Sequence, residues 1–149
     1  MKTVIIRAKL AHEKRTYRDI EIPQHKTLYD LAEAIIFSFD FDMDHLFGFG
    51  DDPKSYYASN KQFMCEPHED DFFFNKEKPG DVKKTKIGEV PFFQNPRDKM
   101  SFLFDFGDDW MFELELRSFQ EQEKRIRYPR ILKKNGESPK QYEDYDDEE

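Results

Sequence analysis

The chain has 149 residues, which suits one domain with its own buried core, since domains commonly run to roughly 100–200 residues. Lys and Arg number 24 against 32 Asp and Glu, a formal charge of −8, and that acidic total argues against a general nucleic-acid binder, which needs a dense basic surface. The lone Cys65 excludes an intramolecular disulfide framework and fits a reducing, cytoplasmic setting; no run approaches the length of a membrane span and none reads as a signal segment.

Sixteen Phe, seven Tyr and one Trp stand in a chain that is only 37% hydrophobic. The core must therefore be made from few, large side chains, each able to remove about 150–250 Å² from water. Charge is uneven along the chain. Six carboxylates lie within residues 143–149, and removing them from −8 leaves −2 for residues 1–142. A run of like charge with no apolar face to bury predicts a disordered acidic tail at 143–149 beyond a single domain at 1–142.

In chain order, Thr3–Leu10 alternates, with Val4, Ile6, Ala8 and Leu10 on one face, and predicts a half-buried strand. Tyr17–Ile22 repeats the pattern with Ile20 and Ile22 inward, and the short polar stretch between the two closes a hairpin that Pro23 ends. Thr27 is placed to cap a helix, with Asp30 three residues on. Leu28, Leu31, Ala32, Ile35, Ile36 and Phe39 then follow helical spacing, predicting a helix from Leu28 to Ser38. His45–Phe49 reads as a short strand.

Residues 50–84 offer the least pattern. Tyr56-Tyr57 and Phe63–Cys65 read as two short paired strands, Pro79-Gly80 as a loop turn, and Phe72, Phe73 and Phe74 as a trio that packs a loop down or meets a partner. Thr85 is placed to cap one turn through Ile87 and Val90. Beyond it, Phe102, Phe104 and Phe106 alternate with polar neighbours, as do Trp110, Phe112, Leu114 and Leu116. Gly107-Asp108-Asp109 sits between the two runs, and glycine there would supply the positive φ of a tight turn. The expectation is an antiparallel hairpin with one aromatic face, lying at the centre of the core. After Gln120 come Lys124, Arg125, Arg127, Arg130, Lys133 and Lys134, then a turn at 136–139.

Two segments stand out together. One is Tyr17-Arg18-Asp19-Ile20-Glu21-Ile22-Pro23 with Thr27-Leu28-Tyr29-Asp30-Leu31 and Asp44-His45-Leu46-Phe47-Gly48-Phe49. The other is Phe104-Asp105-Phe106-Gly107-Asp108-Asp109-Trp110. In this order and spacing they resemble the plasmid pRiA-type ORF-three-like family over roughly residues 3–132. The resemblance implies a single α+β domain and brings no established activity, though some members carry the label of transposon-associated, resolvase-like proteins. The family's motif usually continues with a His two residues after the Trp; here that position is Phe112. A serine recombinase needs a nucleophilic Ser in an Arg-rich site, and no such constellation is present.

The leading candidate site is the acidic hairpin tip: Asp105, Asp108 and Asp109, with His45 and Trp110 as possible neighbours. Three carboxylates could hold a hard cation through oxygen ligands; as turn formers they would instead bond backbone N–H groups and face solvent. Cys65 with His68 supplies at most two ligands of a tetrahedral zinc, with acidic Glu69, Asp70 and Asp71 beside them. No metal or other cofactor is expected. The basic run at Lys124, Arg125, Arg127 and Arg130 offers a phosphate contact, opposed by Glu121, Glu123 and the acidic end. No serine lies in a nucleophile elbow and the six glycines form no phosphate loop.

The expected fold is therefore α+β, a mostly antiparallel twisted sheet with one helix packed on a face, in a hairpin–helix–strands, β-grasp-like order. The expected function is a non-enzymatic interaction or accessory module with a protein partner, linked to mobile elements. The alternative is a metal-dependent hydrolase or nuclease-like enzyme centred on the acidic tip and His45.

Overall fold

The computed structural model describes residues 1–67 and 77–142. The Phe72–Phe74 trio, His68 with Glu69, Asp70 and Asp71, and the acidic end at 143–149 lie outside these residues.

The chain opens with β1 (Lys2–Leu10) and β2 (Glu13–Pro23), an antiparallel hairpin in which Ile6 stands opposite Ile20 and Val4 opposite Ile22. Helix α1 runs over Leu28–Ser38, and Thr27 and Asp30 form a reciprocal capping box at its start: the Thr27 hydroxyl accepts from the Asp30 N–H, and the Asp30 carboxylate accepts from the Thr27 N–H. Two N–H groups that a helix leaves orphaned are satisfied this way. β3 (Phe47–Gly50), β4 (Gln62–Met64) and β5 (Gly80–Asp81) are short. A single 3-10 turn at Ile87–Glu89 precedes β6 (Lys99–Phe104), β7 (Trp110–Glu121) and β8 (Arg130–Asn135).

All eight strands join one sheet in the order β5-β4-β3-β6-β7-β1-β2-β8. Its pairings are antiparallel except β4 with β5, so the sheet is mixed. This corrects the α+β, β-grasp-like expectation: among the described residues the regular structure is mostly strand in one large mixed sheet, with one eleven-residue helix against eight strands. Of those strands, β5 reads in the sequence as a loop turn, β8 as part of a basic run with no element, and β4 as a strand paired with Tyr56 and Tyr57 instead of with β3. They are short or lie at the sheet edges. An edge strand buried on neither face, such as β8, has no reason to alternate apolar with polar residues. Tyr56 and Tyr57, expected on a strand, lie in turns instead, and β4 pairs with β3.

The core joins Ile6, Ile20, Leu28, Leu31, Ile35 and Ile36 with the rings of Phe47, Phe49, Phe102, Phe104 and Phe112. The rings form a connected array: Phe39 to Phe112 at 5.0 Å, Phe112 to Phe102 at 5.6 Å and Phe102 to Phe49 at 4.8 Å between centroids. Each fully buried Phe is worth roughly 1.5–3 kcal/mol, which is how a chain poor in aliphatic residues stabilises so broad a sheet. Gly48 is small because the ring of Tyr56 lies where a Cβ would go, 2.5 Å away.

One buried charge ties the sheet edge to the helix end. Arg18, 1% exposed, donates to the carbonyls of Ser38 (2.8 Å), Tyr17 (2.9 Å), Asn135 (3.1 Å) and Gly136 (3.1 Å), and to the Ser138 hydroxyl (3.0 Å). Its guanidinium lies 4.5 Å from the centre of the Phe39 ring. Burial pulls its pKa down, and the charge of Asp40 opposes that shift. Through these bonds the chain leaving β8 is held against the C-terminal end of α1, and it then runs on to the hairpin tip.

Candidate functional site

The tip between β6 and β7 is built by Asp105. Its N–H donates to the Leu46 carbonyl at 2.9 Å, and its backbone turns at φ +64°. The Asp105 carboxylate then accepts from the N–H groups of Gly107 (3.1 Å) and Asp108 (3.3 Å), while its carbonyl accepts from the Asp109 N–H at 2.6 Å. Asp and Asn tolerate the left-handed region because a short side chain can bond the backbone in this way. The expectation that Gly107 supplies the positive φ is corrected: Asp105 and Asp109, at φ +64° and +52°, are the residues that do.

The carboxylates of the tip do not converge. Asp105 is 7% exposed, and its second oxygen lies 3.3 Å from His45 Nε2. Asp109 turns away and accepts from the Tyr57 hydroxyl at 2.8 Å; burial, and then this bond, push the Tyr57 hydroxyl up. Asp108 is exposed. Of the expected group, then, the fold brings His45 and Asp105 together, sends Asp109 to another partner and leaves Asp108 facing solvent. Among the described residues no three His, Cys, Asp or Glu side chains are arranged to hold a metal ion.

A second set of residues meets His45. Its Nε2 lies 3.4 Å from an Asp44 carboxylate oxygen and 2.8 Å from the Tyr142 hydroxyl. That hydroxyl donates to Asp44 at 2.6 Å, so its lone pair faces His45 and the imidazole Nε2 is the donor of the pair. The bond to Asp44, then partial burial, then the charges of Asp44, Asp105 and Asp42 push Tyr142 up to about 12. Gln141 adds a clip: its carbonyl accepts from the Asp42 N–H at 2.7 Å, and its amide donates to the Asp42 carbonyl and to Asp44. Asp44, Tyr57, Gln141 and Tyr142 were not among the expected site residues. Asp44, the chain neighbour of His45, was within reach of a sequence reading; Tyr57, Gln141 and Tyr142 lie far from the tip in sequence, and no local spacing could have revealed them.

Phe106 and Trp110 also depart from expectation. Phe106 was placed inward with the other alternating rings, but it follows the turn that Asp105 starts and is 37% exposed. Trp110 opens β7 half-buried, edge-on to Phe41 at 4.8 Å and 6.0 Å from the His12 ring, with its indole N–H buried and unpartnered. It belongs to the wall under the tip.

Elsewhere, Cys65 is half-buried, and burial pushes its thiol up, away from the thiolate that nucleophilic chemistry needs. In the basic run Lys124, Arg125 and Arg127 are exposed, and Arg130 pairs with Glu21 at 2.7 Å, a bond that raises its pKa. No helix among the described residues is long and apolar enough to cross a membrane.

The model of the plasmid pRiA4b ORF-3-like family matches residues 2–147. The chain belongs to that family. A crystal structure of another protein, described as of unknown function and from Methanosarcina mazei Go1, is similar to this family member with a TM-score of 0.72. The two are 21% identical, and the match covers 89% of this chain and 69% of that one. At that identity the likeness shows a shared fold. No curated protein matches this ORF-3-like chain.

Proposed function

We propose that this ORF-3-like protein is a non-enzymatic interaction module that docks a protein partner on its hairpin tip. The observation that carries the reading is how the tip uses its side chains. Asp44, Asp105 and Asp109 each accept bonds from within the chain, so they hold loops in place instead of converging on a substrate or an ion. Around them Leu46, Tyr57, Phe106 and Tyr142 are left 37–62% exposed. Aromatic side chains of this kind are enriched at interfaces. Apolar groups beside carboxylates suit Lys and Arg, whose stems lie on apolar surface while their charged heads meet an acid or an aromatic face. A basic peptide segment is therefore the partner chemistry. The plasmid in the family's description supports an accessory role in mobile elements, and the lone Cys65 supports a cytoplasmic setting.

The test is calorimetric titration with a Lys- and Arg-rich peptide. Micromolar binding, weakened about tenfold or more by Phe106→Ser or Tyr57→Ser, is the expected result. Binding indifferent to both substitutions would sink the reading. Parallel titrations with Ca²⁺, Mg²⁺, Mn²⁺ and Zn²⁺ address the metal-dependent enzyme: micromolar affinity lost in Asp105→Asn would replace the interaction module with that alternative.

A further inference from the structure

We propose that the outer edge of β8 is a second docking site, one that takes an acidic, extended peptide segment as an added strand. It is separate from the tip and does not rest on the tip's reading. β8 ends the sheet, pairing with β2 on one side and, among the described residues, with no strand on the other. All six of its residues are exposed, and Ile131 and Leu132 are 42% and 45% exposed. The opposite edge is β5, only two residues long. A free six-residue edge with apolar side chains is a ready template for a further strand.

Charge decides which strand it takes. Lys124, Arg125, Arg127, Arg130, Lys133 and Lys134 crowd into this part of a chain that is otherwise acidic, and residues 124–136 contain no Asp or Glu. Of the six, Arg130 alone pairs with a carboxylate among the described residues, that of Glu21. Two copies of β8 laid side by side would set cation against cation, and like charges directly opposite destabilise a pair of strands. The edge is thus guarded against its own kind and open to a strand rich in Asp and Glu.

The structure also supplies an anchor pocket. Beside the Arg130 end of β8, a groove of about 200 Å³ lies between α1 and the approaching chain, lined by the apolar Ile22, Ala34, Phe37, Tyr128 and Pro129 and by the charged Lys26, Asp30 and Glu33, so that it suits an uncharged apolar side chain of the peptide and not one of its carboxylates. Phe37 is 57% exposed there. Ile131 stands opposite Ile20 in the register, so it shares the sheet face that carries the core and this groove. An acidic strand on β8 could place one bulky apolar side chain in the groove. That combination of a backbone ladder, alternating carboxylates and one apolar anchor describes a peptide better than a nucleic acid, which has no backbone N–H to add to a sheet.

Titrating the full chain with a fluorescein-labelled peptide of alternating Glu and Val, ending in Phe, tests this. The expected result is micromolar binding, weakened about tenfold or more by Lys133→Glu with Lys134→Glu and by Phe37→Ser, together with slowed amide exchange at residues 130–135. The same peptide N-methylated at alternate backbone nitrogens should bind the unaltered chain about tenfold more weakly, a comparison that needs no variant to fold. Equal binding of the methylated peptide, protection that maps to the tip, or tighter binding of a short single-stranded DNA would each overturn the proposal.

Discussion

Trp110 and Phe112 sit two residues apart on one strand and do different work. Phe112 is fully buried between Phe39 and Phe102, so Phe112→Ala should cost about 3–5 kcal/mol, as removing a core aromatic does. Trp110 is half-buried and its indole N–H has no partner, so Trp110→Ala should cost less, on the order of 1–2 kcal/mol. Urea melts of the two variants check the order; a larger loss at Trp110 would place the indole in the core after all. Tyr142 allows a second test at this scale. Its protonated hydroxyl is the form the fold holds, so its pKa is raised from about 10 to about 12. The bond to Asp44 is then fully present below pH about 10 and fades as pH rises towards about 12. Ultraviolet titration should show late-ionising tyrosines, Tyr142 and Tyr57, of which Asp44→Asn returns Tyr142 towards its ordinary value.

Elements depend on a few such residues at their ends. β8 is held at the sheet edge by its ladder to β2, by the Arg18 bonds to Asn135 and Gly136, and by the turn that follows it. In that turn Gly136 has φ +82°, and a Cβ there would meet the Thr16 hydroxyl at 2.6 Å and the Thr16 backbone at 3.0 Å. Both the conformation and the contact exclude a larger residue. Gly136→Ala is therefore expected to cost about 1–3 kcal/mol, and amide exchange should rise in β8 before it rises in β1 or β7. Uniform loosening of the whole sheet would show that β8 is not a separable element. At the other end of α1, Thr27→Ala should cost about 1 kcal/mol through loss of the capping box, as a fall in the melting midpoint.

For the whole molecule, the long-range bonds from the C-terminal segment matter most. Gln141 and Tyr142 reach Asp42, Asp44 and His45, nearly a hundred residues earlier in the chain. A protein ending at Tyr142 is expected to melt within about a degree or two of the full chain, because residues 143–149 are six carboxylates around the single Tyr145 and offer no apolar face to bury. Ending it at Lys140 removes both clips and should lower Tm by more than about 2 °C, with His45 NMR shifts changing most. A large drop on removing residues 143–149 alone would mean that the acidic end docks on the protein.

Local pattern was enough for β1, β2 and α1. Alternation at Val4, Ile6, Ala8 and Leu10, and helical spacing from Leu28 to Ser38 behind a Thr27 cap, are short-range consequences of side-chain geometry, and the strands and helix lie where that spacing puts them. The aromatic hairpin of β6 and β7 was legible for the same reason, although its turn was not: Gly107 looked like the flexible residue, whereas the Asp105 carboxylate bonding two N–H groups allows a non-glycine residue to make the turn. Tertiary structure alone decided the rest. Whether Arg130–Asn135 is a strand depends on β2 being there to pair with it, since nothing in a doubly exposed edge requires alternation. That the Tyr142 hydroxyl meets His45 depends on a C-terminal segment that Arg18 directs across the end of α1, through contacts between residues 20 to 120 positions apart. Spacing along a chain reports what neighbouring residues can do together; it carries no record of partners that only the folded chain brings within hydrogen-bonding distance.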